Sequence, residues 1–370
     1  MTSSVWISAL GTAEPGSPIS RQQTVAWMEP WLHPASDHPK LHLFAQRSGV
    51  DHRYSALDIL GSAGDRIYPL GGLDGADLGE RSALFDRLAP PLAEAAVRVA
   101  CPHGPGRITH LITTTCTGAV APGLEIRLCQ RLGLDPTVRR LAITFMGCYA
   151  AIPGLRAAWN ICRADPRARV LLVCCELSSL HFRPGPEDDA LLAALLFGDG
   201  AAAVVVESSA TPLGTGLRIV GDGSVLAPDS SDQMSWTAHA DVFRLHLSSE
   251  ITAGLAGVLP GLAARLLGPA VRPASVPWVV YPGGPRILDA TEHALALRPG
   301  ALDHSRRELA RAGNRSSPTV LAILARHLHD PWCGLAVLLA FGPGLTADAL
   351  VVERLVDPIS LSAAAGSASA

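Results

Sequence analysis

Charge is scarce in this chain. Asp, Glu, Lys and Arg make up 17% of its 370 residues, and 30 basic against 33 acidic side chains leave a formal net charge of −3. There is no basic excess to neutralise a phosphate backbone, which argues against a nucleic-acid-binding protein. No apolar run reaches membrane-spanning length without a glycine, proline or charge inside it, so no transmembrane helix is expected. Residues 1–6 lack a basic segment followed by an apolar one, so no signal peptide is expected. The eight cysteines include no paired Cys-x-x-Cys. Several, such as Cys162, Cys174 and Cys175, fall in apolar runs and read as reduced thiols of a cytoplasmic protein. What remains is apolar: hydrophobic residues are 48% of the chain, enough for the sizeable core of an α/β enzyme. A sparsely charged surface also suits a chain that hides part of itself in a homodimer.

Short apolar runs alternate with longer helical patterns. Strands are expected at residues 108–114, 141–145 and 170–176, and helices at 125–132 and from Cys148 to about Cys162. The continuous apolar strands suit a sheet covered on both faces. Pro153 falls in the first turn or so of its helix, where a missing N–H costs little. An internal echo runs through the chain. Residues 197–207 and 341–353 are each a glycine turn feeding an apolar strand closed by Glu, and residues 143–148 and 278–284 are each a strand entering an elbow. Either chance or a duplicated α/β unit accounts for this. A duplication divides the chain into halves at 1–210 and 211–357, with a mobile tail at 358–370, and sets two elbows face to face.

Cys148 lies where a strand gives way to a helix. Unpaired N–H groups and the positive end of the helix dipole favour thiolate there, and Gly147 and Ala150 leave room for a thioester. A cysteine at such a junction also suits the core. Asn314, before Ser316 and Ser317, reads as a helix cap or as an amide donor.

Eight ordered blocks decide between these readings. They are 115–123 (Thr-Cys-Thr-Gly-Ala-Val-Ala-Pro-Gly), 145–151 (Phe-Met-Gly-Cys-Tyr-Ala-Ala), 175–182 (Cys-Glu-Leu-Ser-Ser-Leu-His-Phe), 197–203 (Phe-Gly-Asp-Gly-Ala-Ala-Ala), 233–236 (Gln-Met-Ser-Trp), 282–289 (Pro-Gly-Gly-Pro-Arg-Ile-Leu-Asp), 313–317 (Gly-Asn-Arg-Ser-Ser) and 341–344 (Phe-Gly-Pro-Gly). From about Arg47 to Glu353 the chain resembles the type III polyketide synthases, the chalcone and stilbene synthase group, in a bacterial form. The resemblance implies a thiolase-like fold in five α/β/α/β/α layers, a homodimer, and an acyltransferase of secondary metabolism. It implies acyl-CoA and malonyl-CoA as substrates, or an acyl-carrier-protein donor, with no cofactor and no metal. Carried over by position, Cys148 is the acyl-accepting nucleophile, and Asn314 hydrogen-bonds the thioester carbonyl and the enolate left by decarboxylation. Phe182 and Leu245 take the two gatekeeper positions. Cys116, Thr117 and Ser316 line the substrate cavity. Lys40, Arg47, Gly283, Gly284 and Arg286 hold coenzyme A, Lys40 and Arg47 sharing a helix face with Leu43 at the middle basic position between them.

Tyr281 breaks the pattern, because the family has histidine there. Imidazolium can pair with thiolate. A phenol of pKa about 10 can only donate a hydrogen bond near neutral pH. With a free-thiol pKa of about 8.5, Cys148 would then be a few per cent thiolate near pH 7. His181, His293 and His304 are other possible bases, but no motif brings them to the cysteine. Three activities follow: decarboxylative condensation that tolerates Tyr281, acyl transfer or thioester hydrolysis without decarboxylation, or an inactive homologue.

Overall fold

The computed structural model describes residues 3–32, 38–61, 67–68 and 75–355. The expected tail, 358–370, lies outside them. Thirteen strands are present among the described residues: β1 (Ser4–Ala13), β2 (Ile19–Ser20), β3 (His52–Arg53), β4 (His110–Thr115), β5 (Arg139–Thr144), β6 (Arg169–Leu177), β7 (Asp199–Ser209), β8 (Leu217–Leu226), β9 (Met234–Ala238), β10 (Phe243–Leu247), β11 (Trp278–Val280), β12 (Gly334–Gly342) and β13 (Thr346–Arg354). Nine of them form one sheet in the order β11-β12-β13-β8-β1-β7-β6-β4-β5.

The pairing pattern repeats about the middle of this sheet. On one side β4 runs parallel to β6, which is antiparallel to β7, which is antiparallel to β1. On the other side β11 runs parallel to β12, which is antiparallel to β13, which is antiparallel to β8. Among the described residues the sides of the sheet join only where Trp6 and Ile7 of β1 meet Arg218 and Leu217 of β8. Helices Ala151–Ala164 and Pro318–His327 each touch strands on both sides of this narrow seam, so they fill the space between two half-sheets. Helix Leu78–Ala100 covers the outer face of the first half-sheet, and Ile251–Leu267 packs on β8 and β13 with Pro285–Ala294 beside it. The result is five layers of mixed α/β structure.

Strand sequence explains the layering. In β6 alternate side chains enter different cores: Leu171, Val173 and Cys175 face the outer helices, while Val170, Leu172 and Cys174 face the central pair. Both faces are apolar because both are covered. The strands and helices expected from periodicity are found within one or two residues, with one correction. The helix after Cys148 starts at Ala151, and Cys148 sits in a short 3₁₀ turn, Gly147–Tyr149, ahead of it. Gly147 at φ 81° and Phe145 at φ 57° bend the chain too sharply for the helix to begin earlier.

Candidate active site

Three chain segments meet at the bottom of one cavity. The first is the elbow at Cys148. A Cβ on Gly147 would lie 2.2 Å from Pro343 Cδ, so only glycine lets this elbow seat against the Phe341–Gly344 turn of the second half-sheet. The second is the loop leaving β11, where the Tyr281 amide donates to Leu339 O at 2.8 Å and fixes the ring's origin. The third follows helix Asp303–Ala312. Asn314 N donates to Leu196 O at 2.8 Å and Gly198 N donates to Asn314 O at 2.9 Å, which clamps Asn314 to the first half-sheet. Asn314 is not the cap of the following helix. That helix begins at Pro318, and Asn314 Oδ1 instead accepts from Ser316 N at 2.8 Å. With its oxygen so engaged, the amide must aim Nδ2 the other way, and Nδ2 donates to Tyr281 Oη at 2.5 Å.

The phenol therefore accepts from Asn314 and keeps its own proton for Cys148, to which it is hydrogen-bonded. Burial pushes the Cys148 thiol up to about 11, against hydrogen bonds from Tyr281 and Ser316 that pull it down, and the Glu176 carboxylate adds to the rise. Burial also pushes the Tyr281 phenol well above its ordinary value, with the neighbouring cysteine adding to the rise. At pH 7 a thiol near 11 is thiolate on the order of once in 10⁴.

Glu176 was not singled out from the sequence. It closes the apolar run of β6 and is fully buried. Five donors surround it: Cys116 N at 2.9 Å, Thr117 Oγ1 at 2.8 Å, Ser317 Oγ at 3.0 Å, Thr115 Oγ1 at 3.2 Å and Ser316 Oγ at 3.3 Å. Burial raises its carboxyl to about 6, and these bonds only partly offset that. A lone Glu at the end of an otherwise apolar buried strand is the signal that could have found it.

The cavity has a volume of about 470 Å³, within the usual range for ligand sites. Cys148, Tyr281 and Asn314 lie on its floor, and Leu245 lines its wall. Gly283, Gly284, Arg47 and Arg286 line it too, the two arginines exposed. Neither arginine is in an ion pair among the described residues. The other expected residues are elsewhere. Lys40 is on the same helix as Arg47 but is ion-paired with Asp188 and does not line the cavity. Phe182 is not on the cavity wall. It is 2% exposed, with Trp27 and Tyr68 around it and the Arg53 guanidinium 5.1 Å from its ring centre. Cys116, Thr117 and Ser316 are buried behind the wall, bonded to Glu176 or its neighbours. Cys116 Sγ accepts from Gly147 N at 2.9 Å, which fixes the elbow from below, and burial keeps its thiol well above the ordinary value. His181 does not line the cavity either. Burial holds it neutral, its pKa lowered to about 3, with Nε2 at 2.9 Å from Thr117 O and Nδ1 accepting from Phe243 N. His293 and His304 do not line the cavity.

A cysteine elbow, two convergent donors and a duplicated pairing order in five layers define a thiolase-like condensing enzyme. The chain belongs to the chalcone and stilbene synthase family: the family's N-terminal domain matches residues 5–210 and its C-terminal domain matches residues 245–356. Solved structures agree in fold. The C-terminal type III polyketide synthase domain of Steely1 from Dictyostelium superposes with a TM-score of 0.86 at 24% identity, covering 95% of this chain and 100% of that one. The I375F mutant of CsyB gives 0.85 at 25% identity, with 95% and 100% covered. PKS-I from the brown alga Ectocarpus siliculosus gives 0.86 at 24%, with 96% and 99% covered. No helix among the described residues is long and apolar enough to cross a membrane.

Proposed function

We propose that this protein takes an acyl group from a coenzyme A thioester onto Cys148 and condenses it with malonyl-derived units, using Tyr281 and Asn314 as a paired donor in place of a cationic partner. One observation carries this reading: a nucleophile and two aligned donors share the floor of a single cavity. A hydrogen-bond donor aimed at a developing oxyanion or enolate contributes about 3 kcal/mol. The Asn314 amide polarises the phenol, and the phenol's proton faces the sulfur and the thioester oxygen that would arrive beside it. Arg47 and Arg286 at the rim suit the phosphates of coenzyme A, and a CsyB structure has been solved with CoA-SH bound.

A second reading is favoured by the thiol near 11 and the lack of a cation on the cavity floor among the described residues. Neutral donors stabilise a tetrahedral oxyanion better than they drive loss of carbon dioxide. On this reading the acyl group passes to an alcohol, an amine or water without decarboxylation. Incubation with acyl-CoA and malonyl-CoA separates the two. Condensation gives an adduct on Cys148 together with carbon dioxide that requires Cys148. An adduct without carbon dioxide establishes the second reading, and the absence of any adduct across a panel of acyl-CoAs overturns both.

A further inference from the structure

Helices Asp303–Ala312 and Pro318–His327 pack together as an antiparallel hairpin with Asn314 in the turn between them. Its open end lies about 15 Å away, at 1.5 Å of rise per residue over ten residues. His304 opens the first helix there and His327 closes the second. Their rings stand edge to face with centres 5.0 Å apart. Asp330 follows in the next turn, its Oδ2 at 2.6 Å from His304 Nε2. One donor atom from each of the three residues lies within 4.8 Å of the others. His327 Nε2 is buried without a hydrogen-bond partner among the described residues. An unpaired buried nitrogen is a cost that a bound ion removes.

We propose that His304, His327 and Asp330 form a binding site for a divalent metal ion of the zinc class. Two imidazoles and one carboxylate are the donor set of zinc, cobalt or nickel rather than of calcium or magnesium. Bonds of about 2.0–2.2 Å in a tetrahedron place donor atoms roughly 3.3–3.5 Å apart, so the three groups need only small rotations. The His304–Asp330 hydrogen bond opens to admit the ion, and water takes the fourth position. Arg354 fastens the loop by donating to Asp330 O at 2.8 Å and Leu328 O at 3.0 Å, which leaves the Asp330 carboxylate available. The same guanidinium, with Arg307 near Asp330, opposes the ion's charge and sets a moderate affinity. The ion closes the open end of the hairpin and takes no part in chemistry at Cys148. Histidines 23 residues apart in the chain do not show this pairing as a motif, which is why the sequence carried no sign of it.

The test uses the full chain carrying Cys148→Ala and Cys333→Ser, which removes the cavity thiol and the exposed thiol near Asp330. The protein is stripped with EDTA, desalted and titrated with zinc chloride by calorimetry. One equivalent is expected to bind. The melting temperature is expected to rise by about 3–4 °C at zinc roughly a hundredfold above its dissociation constant. His304→Gln and Asp330→Asn are each expected to weaken binding by at least about tenfold. Asp330 is exposed, so its variant tests the site without threatening the fold. Cobalt is expected to give a visible ligand-field spectrum that the same variants lose. No uptake, or uptake with unchanged affinity in Asp330→Asn and His304→Gln, overturns the proposal.

Discussion

Glu308 and Glu176 are both fully buried, one bonded to Arg315 and the other to Ser316, the two residues after Asn314, and their surroundings differ in kind. Glu308 is held by three guanidinium groups, those of Arg311 at 2.7 Å, Arg315 and Arg326. Burial would raise its carboxyl, but the arginines win and hold it below its usual value. Glu176 has only hydroxyls and one amide, and burial wins, raising it to about 6. Arg315 also reaches Glu14 at 2.6 Å, which ties the residue after Asn314 to the end of β1. The cations thus serve the scaffold that places Asn314, and none reaches Cys148. The pH consequences have opposite sign. Glu308, depressed in the folded protein, stabilises it above the ordinary carboxyl range, and that stability is lost as pH falls through its folded value. Glu176, raised to about 6, favours the fold below its ordinary value of 4.5 and ceases to do so as pH rises through about 6.

The largest effect is expected on the charged side. Glu308→Ala leaves Arg315 buried without its main partner and is expected to cost about 3–5 kcal/mol in urea unfolding. A loss under about 1 kcal/mol would show that the network does not hold the hairpin.

The neutral side answers to Tyr281. Tyr281→Phe removes the phenol donor, and turnover of acyl transfer is expected to fall on the order of 10²-fold with KM little changed. Tyr281→His brings a cation to the sulfur. Its rate of alkylation by iodoacetamide at pH 7 is expected to rise at least about tenfold, with malonyl-CoA decarboxylation rising beside it. The wild-type rate is expected to climb steadily from pH 7 to 10 without levelling, because the thiol sits near 11 rather than at the free-cysteine value. A plateau below pH 8 would mean that another group supplies the thiolate.

The smallest effects distinguish the rim charges. Arg47→Ala and Arg286→Ala are each expected to raise KM for acyl-CoA by about tenfold, since phosphate contacts are alike in ground and transition states. Lys40→Ala is expected to change it by less than about threefold, because Lys40 is engaged with Asp188. Equal effects at all three positions would return Lys40 to the rim.

Much of the floor was legible in the chain because its residues sit in contiguous motifs. Cys148, Tyr281 and Asn314 each follow or precede a glycine turn whose sequence names its neighbours. The wall was less legible. Phe182 and Ser316 belong to the right segments, but which way each side chain points depends on partners such as Trp27 and Glu176 that are far away in sequence. The ion pair of Lys40 with Asp188 and the clamp of Asn314 onto Leu196 and Gly198 are likewise long-range and leave no periodic trace. Leu245, which the resemblance carried to a gatekeeper position, lies on β10 paired with β9 and lines the cavity.

Chain order and sheet order disagree in this molecule. β1 comes first among the described strands, yet it pairs along its length with β7, Ser4 against Ser209, and meets β8 at the seam. Closing a loop of that length is slow beside the formation of local helices. Cys148 precedes β7 in the chain, whereas Tyr281 and Asn314 follow it. Until the later segments arrive, the cysteine has neither the Tyr281–Asn314 pair beside it nor the enclosed surroundings that suppress its ionisation, and it is expected to behave as an ordinary thiol of pKa about 8.5. The half-made chain is therefore more open to oxidation and alkylation at this position than the finished enzyme. Alkylation at Cys148 is expected to be faster during refolding and to slow once the second elbow has closed over the first.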